Sequence, residues 1–259
     1  MQDALIGFSG FVGSTLRKQR HFDALFRSDN IADIAGREFD LLVCAAAPAQ
    51  KWLANREPAA DWANIERLIG HLRTVRCRQF VLISTVDVFG QALAVDEHTP
   101  VVETGLHPYG LHRRRLEQFV ENAFDNALII RLPGLVGPGL RKNIIFDFLN
   151  NNNLHSIESR SVFQFYPMVN LSADIETALA AKLRLLHLAA EPVSVADIAR
   201  QCFGRQFEQT LAAEPARYDM RSRHAGIFAA SGPYIYSRRE TMLAIRAYVQ
   251  SEPLTELAA

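Results

Sequence analysis

Short apolar runs alternate with helix-like segments along the first half of the chain. The runs span residues 4–10, 39–47, 78–89 and 126–137, and residues 22–27 are a candidate for a further strand. Continuous apolar runs of this kind are typical of strands buried on both faces of a parallel sheet. Helical periodicity follows them at 11–20, 61–75 and 111–124. This alternation predicts an α/β fold with a Rossmann-type, doubly wound parallel sheet.

The alternation becomes less regular after Pro138. A helix closed by the Asn-rich turn at 150–153 is predicted first, then a strand and a helix within 161–186, then helical pieces at 193–204 and 237–250. The pattern predicts a dinucleotide-binding domain over 1–137, to which 161–186 returns. Residues 138–160 and 187–259 are predicted to form a small C-terminal substrate-binding lobe.

Composition excludes several classes of protein. With 259 residues, 49 % hydrophobic, 22 % charged and a net charge of zero, the chain is typical of a globular protein that binds neither nucleic acid nor an anionic membrane. The start MQDALIGFSG lacks a basic segment followed by a long apolar one, and no run of about 18 apolar residues occurs, so neither a signal peptide nor a membrane span is expected. The cysteines (Cys44, Cys77, Cys202) and the histidines lack metal-ligand spacing, which favours a cytoplasmic protein without a metal site.

Three glycines mark the first turn between strand and helix. Gly7, Gly10 and Gly13 form GxxGxxG after an apolar strand and before a helix, the context in which such a turn binds a dinucleotide pyrophosphate. The alternative is a purely structural glycine turn. The predicted cofactor-binding residues here and after the third strand are Gly7, Ser9, Gly10, Phe11, Val12, Gly13, Ala45, Ala46 and Ala47.

The segment about 20 residues beyond the first glycine indicates which dinucleotide is bound. Arg27 and Ser28 occupy it, and a guanidinium suits the 2′-phosphate of NADP. Asp23 and Asp29 lie close to this position in the sequence, and an aspartate there could bind the ribose 2′-hydroxyl of NAD, so NAD remains the alternative. We therefore expect NADP as the cofactor, with NAD as the second choice.

A tyrosine and an arginine stand one helical turn apart in HPYGLHRRRLEQF, residues 107–119. By itself this segment is typical of a helix with a solvated basic side. Arg114 and Arg115 keep that interpretation. Tyr109 and Arg113 share a helix face because they are four residues apart, so a cation can stabilise an ionised tyrosine there.

Motifs in a fixed order connect this tyrosine to a known family. GxxGxxG, DLLVCAAA, Asn64, STVDVFG, DEHTP, PYGLHR and RLPGLVGPG follow one another from residue 3 to about residue 140. Together they resemble the extended (atypical) short-chain dehydrogenase/reductase superfamily, in its NAD-dependent epimerase/dehydratase and dTDP-4-dehydrorhamnose reductase-like branch. SADIETA at 172–178 extends the resemblance, which is faint beyond about residue 185.

The resemblance implies roles for individual residues. Tyr109 would be the general acid/base, and Thr85 would hydrogen-bond the same substrate oxygen, with Ser84 as a second choice. The family's lysine, which lowers the pKa of the tyrosine and binds the nicotinamide ribose, is replaced by Arg113. Arginine keeps the charge but changes its shape and its hydrogen bonds, so a ribose contact would have to be rebuilt.

Two further positions depart from the family pattern. Gly134 stands where many relatives carry an Asn that faces the substrate. The 4,6-dehydratases have the sequence Thr-Asp-Glu where this chain has Thr85, Val86 and Asp87, so the first carboxylate of that motif is missing. Dehydration is therefore not expected. The predicted substrate-binding residues are Asp87, Gly134, Arg141, Lys142 and Asn143, with a solvated loop as the alternative for 141–143.

The predicted function is an NAD(P)-dependent oxidoreductase or epimerase acting on a sugar, which we expect to be nucleotide-linked. The alternative is a dinucleotide-binding protein with reduced or lost catalysis that acts as a sensor or scaffold. Arg113 and Gly134 are the residues that support the alternative. The resemblance leaves a homodimer open, because the helices that correspond to 61–75 and 111–124 form a four-helix dimer in relatives.

Overall fold

The computed structural model describes residues 2–253, which divide into two compact units. The first unit runs up to Gln91 and also contains His98–Leu132 and Leu171–His187. The second unit contains Ala92–Glu97, Pro133–Asn170 and the chain from Leu188 onward. The segment that returns to the first unit thus begins at Leu171 and contains a helix followed by a strand.

In chain order the strands are β1 (Asp3–Ile6), β2 (Ala24–Phe26), β3 (Glu38–Cys44), β4 (Arg76–Thr85), β5 (Leu93–Val95), β6 (Ala127–Leu132), β7 (Gly134–Val136), β8 (Val162–Phe163), β9 (Phe165–Pro167), β10 (Leu185–His187), β11 (Val193–Ser194) and β12 (Asp219–Met220). The helices are α1 (Phe11–Gln19), α2 (Lys51–Arg56), α3 (Pro58–Leu72), α4 (Pro108–Ala123), α5 (Ile144–Asn150), α6 (Leu171–Ala180), α7 (Val195–Phe203) and α8 (Arg238–Ser251).

A six-stranded parallel sheet in the order β2-β1-β3-β4-β6-β10 forms the centre of the first unit. The predicted doubly wound α/β class is therefore confirmed. The chain passes from β1 to β2 on one side and then returns to β3 on the other. Ile6 accordingly lies between Phe26 and Cys44 at the carboxyl end of the sheet. Doubly wound sheets bind their ligands at the carboxyl edge, next to such a reversal of strand order.

Helices α3 and α4 cover one face of the sheet. Ile65 and Leu72 of α3 and Leu116 and Val120 of α4 are buried in one apolar cluster with Phe80 of β4. Burial of such side chains supplies roughly 1.5–3 kcal/mol each. The cluster thereby fixes where the first turn of α4 meets the end of β4.

Several boundaries differ from the sequence prediction. Helix α4 begins at Pro108 rather than at 111, because proline suits the first helical position and His107 Nδ1 accepts the Gly110 N–H. In the first unit, the short helix α2 and the edge strand β10 were not predicted. β10 has only three residues, too few for a periodic signal.

Small sheets and amphipathic helices build the second unit. β5 pairs with β12 and β7 with β9 in parallel, whereas β8 and β11 are antiparallel. Phe148 of α5 packs with Val195 and Ala199 of α7. Ser237 and Glu240 form a capping box at the start of α8. Among residues 2–253, no helix combines the length and the hydropathy needed to cross a membrane.

Candidate functional site

Two glycines of the first turn are required by close backbone packing. Gly7 has a φ of +87°, and a Cβ there would lie 2.5 Å from the Ala45 carbonyl oxygen at the end of β3. A Cβ on Gly13 would overlap the Gly7 carbonyl oxygen. Glycine at these positions therefore lets β1 approach β3 and lets α1 pack against the turn.

Gly10 differs from its two neighbours in the motif. A Cβ at Gly10 would meet only the Gly7 carbonyl oxygen, at an ordinary 3.5 Å, and its φ of −74° suits any residue. It precedes α1, which begins at Phe11 and, within the described chain, has no side-chain cap. Open backbone before uncapped N–H groups fits a pyrophosphate, which the helix dipole also favours. This turn therefore fits a dinucleotide, with exposed Ser9 and half-buried Val12 beside it.

A second cationic group joins Arg27 at the end of β2. The Arg27 guanidinium lies 5.6 Å from the centroid of the Phe8 ring, and that of Arg17 lies 5.1 Å from the same ring. Arg27 also pairs with Asp29, to which the Ser28 hydroxyl donates at 3.0 Å. Arg17 was not among the predicted residues, because only the packing of α1 shows that its last turn lies beside Phe8.

Thr85 and Tyr109 meet where β4 ends and α4 begins. Their side chains lie close enough for Thr85 to lower the pKa of Tyr109, and Thr85 Oγ1 accepts the Asp87 N–H at 3.1 Å. A Cβ on Gly110 would overlap the Asp87 carbonyl oxygen, so only glycine allows α4 to come this close. The fold thus brings together the tyrosine and the hydroxyl that were predicted as a pair.

Two residues outside the predicted set hold the first turn of α4. Asn55 Oδ1 accepts the Tyr109 N–H at 3.0 Å, and His107 Nδ1 accepts the Gly110 N–H at 3.0 Å. Burial lowers the pKa of His107, and the nearby Lys51 charge lowers it further. His107 therefore acts as a neutral acceptor at the helix start.

Arg113 is buried and engaged by the protein itself. Its guanidinium carbon lies 4.0 Å from the centroid of the Tyr109 ring, and the side chain is only 2 % exposed. Nη1 donates to Asp61 at 2.5 Å and to the Tyr109 carbonyl oxygen at 3.2 Å. Nη2 donates to Asp61 at 2.9 Å and to the Pro48 carbonyl oxygen. All four terminal N–H groups of Arg113 thus have hydrogen-bond partners. Its Nε is buried and has no hydrogen-bond partner among the described residues.

Asp61 of α3 is the residue that fixes Arg113. Its carboxylate also lies 2.7 Å from His112 Nδ1. Burial would raise the pKa of Asp61, but the hydrogen bonds from Arg113 and His112 outweigh burial and bring the pKa below its ordinary value. Asp61 therefore stays ionised beside Arg113. It lies 52 positions before Arg113, so no local motif could indicate the pair.

A second ion pair lies near Tyr109. Lys51 Nζ of α2 donates to Asp87 Oδ1 at 2.7 Å, with side-chain exposures of 39 % and 18 %. Burial is the main cause that raises the pKa of Tyr109 above its ordinary value. The attraction of Arg113 opposes this rise most strongly, and the repulsion of Asp87 adds to it. Asp87, predicted to bind substrate, is thus a partner of Lys51 in this structure.

Ser84, the second choice for the catalytic hydroxyl, has a different partner. Its Oγ donates to Glu117 at 2.5 Å inside the first unit. Arg131 also donates to Glu117, at 3.0 Å from Nε and 2.7 Å from Nη2. Successive side chains of a strand point to opposite faces. Ser84 is therefore part of this buried ionic group, whereas Thr85 meets Tyr109.

The remaining predicted substrate residues belong to the second unit. A Cβ on Gly134 would lie 2.7 Å from the Gln164 carbonyl oxygen, so β7 and β9 require glycine there for packing. Asn143 has a φ of 100° and caps α5, accepting the Ile145 N–H at 2.9 Å. Arg141 and Lys142 precede it and are exposed.

Comparison with known proteins places the chain in a family. The model of the NAD dependent epimerase/dehydratase family matches residues 21–157. The chain belongs to that family. The resemblance stated from the motifs is thus confirmed, and a nicotinamide dinucleotide is the cofactor expected of the family. No curated protein matches the chain.

Solved structures confirm the fold over almost the whole chain. A dTDP-4-dehydrorhamnose reductase from Yersinia enterocolitica has a TM-score of 0.71 at 19 % identity, covering 96 % of this chain and 99 % of its own. RMD from Pseudomonas aeruginosa, complexed with NADPH, has a TM-score of 0.70 at 18 % identity, with 97 % and 99 % coverage. MoeE5, in complex with UDP-glucose and NAD, has a TM-score of 0.69 at 17 % identity, with 96 % and 98 % coverage.

Proposed function

We propose that the protein is an NAD(P)-dependent oxidoreductase or epimerase acting on a nucleotide-linked sugar, with Tyr109 as its general acid/base. The observation that carries this proposal is the meeting of the Tyr109 and Thr85 side chains at the carboxyl end of β4, with the Arg113 guanidinium 4.0 Å from the tyrosine ring. In a doubly wound sheet, this edge is where ligands bind. Family membership and the nucleotide-sugar ligand of one solved neighbour support the substrate class.

Each part of the first unit has a distinct task in this proposal. The backbone around Gly10 and the start of α1 hold the pyrophosphate. When bound, the dinucleotide supplies or accepts the hydride. Thr85 orients the reacting oxygen of the sugar, and Tyr109 exchanges a proton with that oxygen. The Arg113 cation stays beneath the tyrosine ring, where Asp61 holds it.

NADP is the cofactor that the charges at the end of β2 favour. Arg17 and Arg27 place two guanidinium groups around Phe8, and guanidinium groups bind phosphate with charge-assisted hydrogen bonds. Asp29 competes for Arg27 in the structure. A 2′-phosphate carries more charge than a carboxylate, so it can replace Asp29 as the partner of Arg27.

The replacement Tyr109→Phe tests the proposal. It removes the hydroxyl and keeps the ring that stacks on Arg113. We expect kcat to fall about 10²- to 10⁴-fold, the range that general acid/base catalysis contributes. The dissociation constant for NADPH, measured by fluorescence, is expected to change no more than about threefold, since the glycine turn is intact. Turnover equal to that of the unmodified protein would contradict the role of Tyr109.

A cofactor-binding sensor or scaffold is the second candidate. The observation that favours it is the occupation of Arg113 by Asp61 and by two backbone carbonyl oxygens, which leaves Nε as its unpaired donor within residues 2–253. The terminal N–H groups of Arg113 are therefore not available for the contact that the family's lysine makes with the ribose. Tight NADPH binding without turnover on any keto or hydroxyl nucleotide sugar would select this candidate over the enzyme.

A further inference from the structure

Trp52 of α2 is a large aromatic side chain that faces solvent. It is 61 % exposed, and it is the one aromatic residue among the large apolar side chains that are exposed within residues 2–253. Trp62, the other tryptophan of the chain, is half-buried on α3. Its ring lies 5.4 Å from the His112 ring and 5.0 Å from the Arg115 guanidinium carbon. The two indole rings therefore have different surroundings, and that of Trp52 is the one left largely uncovered.

The exposed indole is held by its own helix. Arg56 follows Trp52 by four residues, so the two side chains share a face of α2. The Arg56 guanidinium carbon lies 4.8 Å from the centroid of the Trp52 ring, where the negative charge of the ring face attracts it. Arg56 also donates to Glu57 Oε1, at 3.2 Å from Nε and 2.7 Å from Nη2. The indole is thereby oriented before any ligand arrives, and its opposite face is left for a ligand.

Helix α2 is anchored at the candidate site on both sides of Trp52 in the sequence. Lys51 Nζ donates to Asp87 Oδ1 at 2.7 Å. Asn55 Oδ1 accepts the Tyr109 N–H at 3.0 Å. Lys51 and Asn55 share one face of α2, and Trp52 lies on the adjoining face, because successive helical residues are rotated by about 100°. The indole therefore stands at the border of the site.

A hexose ring is the occupant that the chemistry of this surface favours. One face of a hexose ring presents C–H groups that stack on an aromatic ring, whereas its hydroxyl groups need charged or amide partners. Helix α2 offers both, because the indole adjoins the pair of Lys51 and Asp87 and the amide of Asn55. In a nucleotide-linked sugar the reacting carbons belong to the sugar, so the sugar ring and not the base lies next to the tyrosine.

We infer that Trp52 is a substrate-binding residue, which stacks its open indole face on the ring of the nucleotide-linked sugar. The inference rests on the proposed function and deepens it, since it assigns a contact for a face of the sugar that does not react. Trp52 takes no part in making or breaking bonds. It binds the sugar equally in the ground state and the transition state, so it contributes to KM and not to kcat.

Indole fluorescence tests the inference without turnover. The chain has two tryptophans, so Trp62→Phe leaves Trp52 as the single indole emitter and Trp52→Phe leaves Trp62. Both variants are titrated with UDP-glucose, dTDP-glucose and GDP-mannose, and with UDP, dTDP and GDP as controls without a sugar. We expect the emission of Trp62→Phe to change when a nucleotide sugar binds and that of Trp52→Phe to stay constant. Equal changes in the two variants, or equal changes with the free nucleotides, would overturn the inference.

Affinity and turnover separate a stacking residue from a merely structural one. Trp52→Ala is expected to raise the KM for the nucleotide sugar about five- to tenfold and to leave kcat within about twofold. Trp52→Phe keeps an aromatic ring and should recover most of the affinity. The Kd for NADPH and the thermal unfolding midpoint should not change, because the side chain is 61 % exposed. Trp62→Phe is the matched control. Equal losses in Trp52→Ala and Trp52→Phe, or a lower kcat at constant KM, would argue against stacking.

The outcomes distinguish this inference from the proposed function. Turnover of a nucleotide sugar with an unaltered KM in Trp52→Ala would overturn the inference and leave the proposed function standing. Binding that changes the Trp52 emission, without turnover with either NADP or NAD, would support the inference and contradict the proposed function. Calorimetric binding that leaves the Trp52 emission constant would overturn the inference alone. An absence of calorimetric binding for all three nucleotide sugars would contradict both.

Discussion

The glycine turn after β1 and the start of α4 solve a similar packing problem in different ways. In each, a glycine lies against a backbone carbonyl oxygen, that of Gly7 for Gly13 and that of Asp87 for Gly110. The first contact joins residues six positions apart, and the second joins residues 23 positions apart. The glycine turn after β1 is therefore encoded locally, whereas the start of α4 depends on long-range contacts.

The charges follow the same division. At the glycine turn, the chain offers backbone N–H groups and a helix dipole, which need no distant side chain. Around Tyr109, the balance of charge depends on Asp61 of α3 and on Lys51 of α2. A family motif can thus be kept beside β1 while the electrostatics beside β4 change, at the same carboxyl edge of the sheet.

The largest effect is expected at the buried pair of Asp61 and Arg113. Asp61→Asn leaves the buried Arg113 cation without its carboxylate, which typically costs about 3–5 kcal/mol. We expect the free energy of unfolding to fall by that amount in urea titrations. Because folding lowers the pKa of Asp61, this stabilisation is present above the ordinary carboxyl pKa and is lost as the pH falls through the lowered value. An unchanged unfolding midpoint at neutral pH would contradict the importance of the pair.

Gly110→Ala is expected to disturb the contact between the start of α4 and the end of β4, and to leave the glycine turn after β1 unchanged. The added Cβ overlaps the Asp87 carbonyl oxygen, so α4 must shift away from Thr85 at a cost of about 1–3 kcal/mol. Turnover should fall with stability, while NADPH affinity stays within a few fold. Gly70→Ala is a suitable control, because a Cβ on Gly70 of α3 meets nothing within 4 Å. Full activity in Gly110→Ala would show that the close approach is not needed.

Gly10→Ala is expected to disturb cofactor binding at the turn after β1, and to leave the surroundings of Tyr109 unchanged. A Cβ there meets only an ordinary 3.5 Å contact, so the thermal unfolding midpoint should not change. The methyl group occupies space required by the pyrophosphate, and we expect NADPH binding to weaken about tenfold, or about 1.4 kcal/mol. Calorimetric titration measures it. Unaltered affinity would place the pyrophosphate elsewhere.

The smallest effect is expected for Arg27→Ala. Arg27 is about half exposed and shares its charge with Asp29, so its loss should weaken NADPH binding by about 1 kcal/mol, or about fivefold. NADH binding should not change. Arg17→Ala is expected to act in the same way. Equal losses for NADPH and NADH would argue against a 2′-phosphate at this position.

Much of the first unit could be predicted because its strands are buried on both faces and read as apolar runs. β6, in which all six residues are buried, is the clearest case. The edge strand β10 and the helix α2 are short and carry no periodic signal. Helix α2 nevertheless supplies Lys51 and Asn55, so part of the candidate site lay outside the predicted elements.

The sequence by itself determined the doubly wound sheet, the glycine turn, and the pairing of Tyr109 with a hydroxyl at the end of β4. These features follow from local periodicity and from motifs whose geometry is set by neighbours in the chain. Only the tertiary structure decided what Arg113 does. Its spacing from Tyr109 predicts a cation on the same helix face, but its hydrogen bonds go to Asp61 and Pro48, which packing brings from other elements. The sequence shows that a residue is charged. Whether a carboxylate neutralises that charge depends on which distant residues the fold places beside it.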